Sequence, residues 1–459
     1  MKSRFFLTAS LAAVALFSAS AEEKQKPPLG GPPKPFTLPA SRTFTLKNGA
    51  KVTMTPYGAI PKLSVRVVVR TGNIDEGPKQ IWLADFMGDL LKEGTTARTS
   101  AQIAEEAAGM GGNVSVIVTE DETVIGGDAL SDYGADMVKL LADVVQHPLL
   151  PASELNRVRA NRLRTMAIQR STPGALANEA FAKALYGDHP YGRTFPTEEM
   201  LKSYTIEDVQ RFYKANIGAE RTHIYIAGRF DSSLSKVVTA AFEGWDKGPA
   251  PVANVPKVAA AKSFELIDRP GAAQSTIRLG LPLPSPTHAD YIPMVVTDSI
   301  LGGSFASRIT TNIREQKGYT YSPFSAVSTN YHSSNWAENA DVTTAVTGPA
   351  LTEIVNEIKR MRKDPPTAEE LQGIKNYLAG IFVIQNSSRQ GVISQLRFVD
   401  LQGLPDDWLR NYVPNVLKVT PQDVQRIAES YLNPDKMALV VVGDKSKIAE
   451  QLAPFSAVP

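Results

Sequence analysis

The chain has 459 residues, 43% of them hydrophobic and 21% charged. That balance excludes an intrinsically disordered protein, and the length exceeds what one hydrophobic core supports. A net charge of +2 argues against nucleic acid, which needs a basic face, and the absence of cysteine excludes thiol catalysis, thiolate zinc sites and disulfide staples.

From the N-terminus, Lys2 and Arg4 precede an apolar run from Phe5 to Phe17, and Ala19-Ser20-Ala21 reads as a small-residue cleavage site before Glu22. Residues 1–21 are therefore expected to be a secretory signal peptide, which places the mature protein in the periplasm. The alternative is a retained membrane anchor, but the run is shorter than the ~20 residues a bilayer span needs. No later stretch is apolar and long enough, so no membrane span is expected after signal removal. Cleavage removes Lys2 and Arg4 and no acid, taking 49 basic residues to 47 against 47 acidic ones. Residues 22–40, rich in Pro, Gly and Lys, read as an extended segment.

Residues 41–246 and 263–459 then read as two lobes, joined by a linker at 247–262 with three prolines and no helical period. The lobes repeat each other. Thr205-Ile-Glu-Asp-Val-Gln-Arg211 matches Thr420-Pro-Gln-Asp-Val-Gln-Arg426, each a helix cap followed by an acidic first turn. At the same offset of 215, Ile224-Tyr-Ile-Ala-Gly228 matches Leu439-Val-Val-Val-Gly443, each a buried strand ending in glycine. This is an internal duplication. Each half runs strands, helix, strands, several helices and a last strand. The fold class is α+β, two homologous lobes each with a mainly antiparallel sheet packed with helices.

In the first lobe, Ile81–Lys92 is helical by period, with Leu83 and Met87 on one side and Asp85, Gly88, Asp89 and Lys92 on another. Gly88 costs such a helix about 1 kcal/mol relative to alanine; either the position is relaxed or something packs closely there, and relaxation is the preferred reading. In the second lobe, Ile309, Ile313 and Gln316-Lys317 keep a helical period, Gly318 is a left-handed stop, and Tyr319-Thr-Tyr-Ser322 reads as a strand.

These phrases, with Gly111-Gly-Asn-Val before Thr119-Glu-Asp-Glu-Thr123 and with Asp188-His-Pro-Tyr-Gly192, resemble the M16 or inverzincin zinc peptidases over nearly the whole mature chain. The resemblance implies that His-x-x-Glu-His falls on Asp85, Gly88 and Asp89, and that the acidic third ligand falls near Thr165. Both histidines, the general base and the last ligand are thus replaced, so no metal is expected on this chain. Asp85 and Asp89 remain either the start of an oxygen-rich cation site or a polar helix face. In the second reading Arg162, one turn before Thr165, or a neighbouring basic residue pairs with them. The resemblance is strongest over Leu301–Ser322. There it implies that Arg314 and Tyr321, seven residues apart, bind substrate and the developing oxyanion. The alternative is that Arg314 covers helix-end carbonyls and Tyr321 packs on a sheet. Gly302 and Gly303 resemble the substrate-contacting glycine loop of the mitochondrial processing peptidase, or serve close packing.

The expectation is a non-catalytic subunit of a heterodimeric M16 peptidase. Its partner would carry His-x-x-Glu-His and the zinc, and the pair would cut peptides. The alternatives are a structural or assembly role, like that of the core subunits of the mitochondrial cytochrome bc complex, and peptide binding without hydrolysis.

Overall fold

The computed structural model describes residues 37–258 and 261–456. The expected signal peptide, most of the segment 22–40, and residues 259–260 of the expected linker lie outside the described residues.

The first lobe opens with strands β1 (Arg42–Thr45), β2 (Lys51–Pro56) and β3 (Lys62–Val69). Helices α1 (Leu83–Leu91) and α2 (Ser100–Gly109) precede β4 (Val114–Val118) and β5 (Thr123–Leu130). Five helices follow: α3 (Gly134–Gln146), α4 (Leu155–Arg170), α5 (Pro173–Tyr186), α6 (Glu198–Ser203) and α7 (Ile206–Asn216). Strand β6 (Thr222–Gly228) and helix α8 (Leu234–Phe242) end the lobe. Residues 246–258 hold no helix or strand.

The second lobe repeats this plan. It runs β7 (Ser263–Asp268), β8 (Gln274–Leu283), α9 (Tyr291–Asp298), β9 (Phe324–Asn330) and β10 (Ser333–Thr343). Then come α10 (Thr347–Lys363), α11 (Ala368–Gln385), α12 (Arg389–Gln402), α13 (Trp408–Lys418) and α14 (Pro421–Tyr431) before β11 (Ala438–Gly443) and α15 (Lys445–Ser456).

The sheets are ordered β1-β2-β6-β3-β5-β4 and β7-β11-β8-β10-β9. Apart from β1 the two orders are the same: the last strand of each lobe inserts beside its first, parallel to it, and the remaining pairs are antiparallel. The inserted strands β6 and β11 are buried along their whole length, as the apolar runs Ile224–Gly228 and Ala438–Gly443 require. The repeated Thr-x-x-Asp phrases form reciprocal capping boxes, Thr205 with Asp208 on α7 and Thr420 with Asp423 on α14.

The duplication extends to how the lobes join. Helix α5 of the first lobe buries Ala177, Ala180 and Phe181 against Ala438, Val440 and Val442 of the second sheet. Helix α12 of the second lobe buries Ile393 against Val68, Val124, Tyr225 and Ala227 of the first. Helices α5 and α12 stand 216 residues apart, within one residue of the offset between the repeated phrases, so each lobe lends the equivalent helix to the other's sheet. Polar contacts fix α12 in place: Arg397 donates to Glu122 at 2.6 Å, and Asp400 lies 3.4 Å from Lys51 and 3.2 Å from His223.

Candidate functional site

Helix α1 carries Leu83, Phe86, Met87, Leu90 and Leu91 into the first core and turns Asp85 and Asp89 toward α4. Its N-terminus lacks a side-chain cap at Trp82, which is left-handed at φ 69°. Glu76 does that work instead, accepting from the backbone N–H of Trp82 at 3.0 Å and of Ala84 at 2.8 Å. Asn73 joins Glu76 to Asp85, donating to Glu76 at 3.1 Å and to Asp85 at 2.9 Å. Burial, and after it the nearby Asp85, push the Glu76 carboxyl up to about 8, against these three N–H donors.

Arg162 on α4 supplies the cation. Its Nε donates to Asp89 at 2.7 Å, its Nη1 to Asp85 at 2.9 Å, and its Nη2 to the Asp85 carbonyl at 3.2 Å. The planar fork of guanidinium suits this three-point contact. Burial raises the Asp85 carboxyl, with Asp89 and Glu120 adding, while Arg162 and Asn73 oppose it. The expected pairing of Arg162 with these carboxylates is therefore present. The reading of Gly88 needs correction. A Cβ at Gly88 would sit 2.5 Å from Cγ2 of Val118 on β4, so close packing, not relaxation, holds the glycine.

These residues do not fit zinc. A guanidinium lies between the two carboxylates, Val118 fills the space beside Gly88, and Thr165, which lines the neighbouring cavity, brings no carboxylate. Among the described residues no group of three or more His, Asp or Glu side chains is placed to hold a metal. A cavity of about 360 Å³ beside Asp89 and Thr165 is lined instead by Lys92, Arg157, Arg162 and Arg164.

In the second lobe the chain after α9 winds through two wide π-helical turns, Ser299–Gly303 and Thr310–Gln316. The left-handed Gly318 (φ 65°) ends the second, its N–H donating to the Arg314 carbonyl at 3.1 Å. The expected strand at Tyr319–Ser322 is absent: Thr320 makes one isolated bridge to Val342, and Pro323, which has no N–H, precedes β9. This leaves Tyr321 82% exposed and not packed on a sheet. Arg314 lies between two exposed rings, 4.2 Å from the centre of Phe305 and 5.4 Å from that of Tyr321. Its Nη1 is 2.9 Å from Glu315 but outside hydrogen-bonding geometry. Among the described residues its guanidinium donates to no helix-end carbonyl. Neither Arg314 nor Tyr321 contacts the Asp85–Asp89 network.

Gly302 and Gly303 are held by close packing. A Cβ at Gly302 would meet Ser325 Oγ at 2.4 Å and Glu338 Oε2 at 2.6 Å, and one at Gly303 would meet Asp298 Oδ2 at 2.4 Å. The glycines thus cover two buried acids that sequence reasoning missed. Asp298 accepts from Ser325 at 2.5 Å and from the Trp336 indole at 2.8 Å, and burial pushes it up to about 6. Glu338 is 0% exposed and has no hydrogen-bond partner on either oxygen. Burial, then Asp298, raises it well above the usual range. A signal was available: Trp336, Glu338, Ala340 and Val342 alternate onto one face of β10, and glutamate is the outlier among three core residues.

Comparison with known proteins agrees with the two-lobe geometry. Residues 57–197 match the insulinase (peptidase family M16) model, and residues 203–378 match the peptidase M16 inactive domain, together well over half of the chain. An uncharacterised zinc protease of Mycobacterium tuberculosis (strain H37Rv) is 26% identical over 93% of this chain and 99% of its own length. Another, YmxG of Bacillus subtilis, is 24% identical over 77% of this chain and 86% of its own. A solved structure described as a peptidase M16 inactive domain, from Pseudomonas fluorescens, superposes with a TM-score of 0.80 at 25% identity, covering 88% of this chain and 98% of that one. A protease from Helicobacter pylori shares the fold with a TM-score of 0.82 at 18% identity, covering 89% and 100%. The chain belongs to the M16 peptidase family, as a member whose first lobe holds the Arg162–Asp85–Asp89 network.

Proposed function

We propose that this protein is the non-catalytic subunit of an exported, periplasmic M16 peptidase. In this reading it pairs with a zinc-bearing M16 subunit and supplies Arg314 and Tyr321 to the peptide being cut. The observation that carries the reading is the presentation of Arg314 and Tyr321. A half-buried guanidinium and an exposed phenol hydroxyl stand together beside Phe305, and apart from the adjacent Glu315 the guanidinium has no charged partner among the described residues. Hydrolysis of a peptide places negative charge on the carbonyl oxygen, and fixed donors there stabilise the transition state by several kcal/mol. Tyr321 O–H and Arg314 N–H are such donors. Zinc, the general base and the attacking water belong to the partner, because Arg162 occupies the corresponding place in this chain.

The test is reconstitution. The purified chain alone is expected to cut no peptide and to bind no stoichiometric zinc. Mixed with an M16 subunit bearing intact His-x-x-Glu-His, it should produce activity, and Arg314→Ala should lower that activity about tenfold or more. Robust cleavage by the chain alone would overturn the proposal. Full activity of the mixture with Arg314→Ala and Tyr321→Phe would favour a scaffold role instead.

A further inference from the structure

Where α12 crosses the first sheet, the lobes leave between them a groove of about 860 Å³, a volume within the range of ligand-binding clefts. Its walls come from β3, β4, β5 and the start of α12, and Lys62, Arg66, Arg389 and Arg397 line it with Asp128 as the one carboxylate. Two of these cations are already engaged. Arg66 is 3.0 Å from Asp128, and Arg397 is 2.6 Å from Glu122, with its Nε buried and unpaired. The other two, Lys62 and Arg389, have no carboxylate partner among the described residues; Arg389 makes only a 3.4 Å contact to Ser64.

Arg389 is also the first residue of a fourteen-residue helix. The Ser388 cap accepts from the Gly391 N–H at 3.0 Å, and Ser388, Arg389 and Gln390 at this helix end line the groove. A positive helix end and two spare cations thus converge in a chain that carries almost no net charge. The groove is not purely ionic: Ile60 and Ile117, 62% and 56% exposed, stand on its walls, where water is an unfavourable neighbour.

We propose that this groove binds an acidic, extended stretch of polypeptide, its carboxylates against Lys62, Arg389 and the α12 N-terminus and its apolar side chains on Ile60 and Ile117. Charge complementarity selects carboxylates. The apolar walls and the volume select a peptide over a small inorganic anion, which would leave both isoleucines in water. The choice of peptide rests on the proposed function; the preference for acidic sequence does not follow from it. The site would bias the complex toward acidic substrates by holding a segment away from the bond being cut, without taking part in chemistry.

The experiment is fluorescence anisotropy on the full chain, without any partner, using a labelled nonapeptide of alternating Leu and Glu and its Leu/Lys counterpart. The acidic peptide should bind at least about tenfold more tightly, with affinity falling as salt is raised. The pair Lys62→Ala with Arg389→Ala should lose about tenfold or more while melting with the parent, since both side chains lie at the surface. The measurement uses neither a partner nor cleavage, so failure of the groove is read separately from failure of the Arg314–Tyr321 reading. Equal binding of the two peptides, wild-type binding by the double variant, or complete displacement by millimolar inorganic phosphate would each overturn the proposal.

Discussion

The two lobes share a strand order and a lent helix, yet one buried carboxylate site in each is managed in the opposite way. In the first, Asp85 and Asp89 share one guanidinium, and Glu76 takes backbone N–H groups at a helix end. In the second, Asp298 has two neutral donors and Glu338 has none. A carboxyl without a cation or donor in low dielectric keeps its proton. The Asp85–Asp89 site therefore solves burial by pairing, whereas Asp298–Glu338, like Glu76, leans to neutralisation, so the two sites should respond differently to loss of a partner and to pH.

The largest expected effect breaks the pairing. Arg162→Ala leaves Asp85 without a cation and Asp89 with only Lys92 at 3.9 Å; removing one partner of a buried pair costs about 3–5 kcal/mol, and partial exposure with the remaining Lys92 puts this case near the lower end. Urea denaturation should show it as a shift in midpoint at unchanged slope. Adding Asp85→Asn and Asp89→Asn to Arg162→Leu should recover most of the loss. A single Arg162→Ala variant as stable as the parent would remove the pairing account.

Next in size is the pH response of the second lobe. Both acids have folded-state pKa values raised above their unfolded ones, so the folded state binds more protons and stability falls as pH rises. The Asp298 share is present near pH 4 and gone above its value of about 6, a loss of about 2–3 kcal/mol by linkage. The Glu338 share persists to higher pH, because its carboxyl lies well above 4.5. Glu338→Gln should therefore match the parent within about 1 kcal/mol at acid pH. Glutamine does not titrate, so the variant has no pH dependence at this site, whereas the parent keeps losing stability above pH 6. Parallel denaturation curves for parent and variant across this range would contradict the neutral-acid account.

Sequence alone made the duplication legible because its signals are local. A Thr-x-x-Asp cap and a run such as Leu439–Val442 depend on neighbours a few residues away. The Asp85/Asp89–Arg162 network was legible because helix period places the carboxylates on one face and Arg162 one turn before Thr165. The buried pair Asp298–Glu338 was not read, because its burial depends on Gly302–Gly303 closing over β10 from more than thirty residues away in sequence. Nor was the basic groove, whose members come from three strands and a helix lent by the other lobe. Gly88 was misread for the same reason: nothing near it in sequence announces Val118.

That misreading supplies a smaller test. Gly88→Ala gains about 1 kcal/mol of helix propensity but forces a Cβ against Val118, and overpacking of this kind costs about 1–3 kcal/mol. The net expectation is a loss of about 1 kcal/mol. In a Val118→Ala background the contact is gone, and the same substitution should stabilise by about 1 kcal/mol. A change of sign between the two backgrounds identifies packing as the cause; the same sign in both would return Gly88 to a relaxed position.

The smallest expected effect is on the stability of the surface pair, and its smallness is informative. Tyr321 is 82% exposed and Phe305 73%, so truncating Tyr321 removes little buried area and no buried hydrogen bond. Tyr321→Ala should change unfolding free energy by no more than about 0.5 kcal/mol, as surface substitutions do. Arg314→Ala should cost slightly more, because its contact with the Phe305 ring at 4.2 Å is worth about 0.5–1 kcal/mol at an exposed site. If either residue served its own lobe, its removal would cost as much as opening a core contact. A near-silent Tyr321→Ala in denaturation, together with a large fall in the reconstituted activity, would mean that the side chain works on something outside this chain.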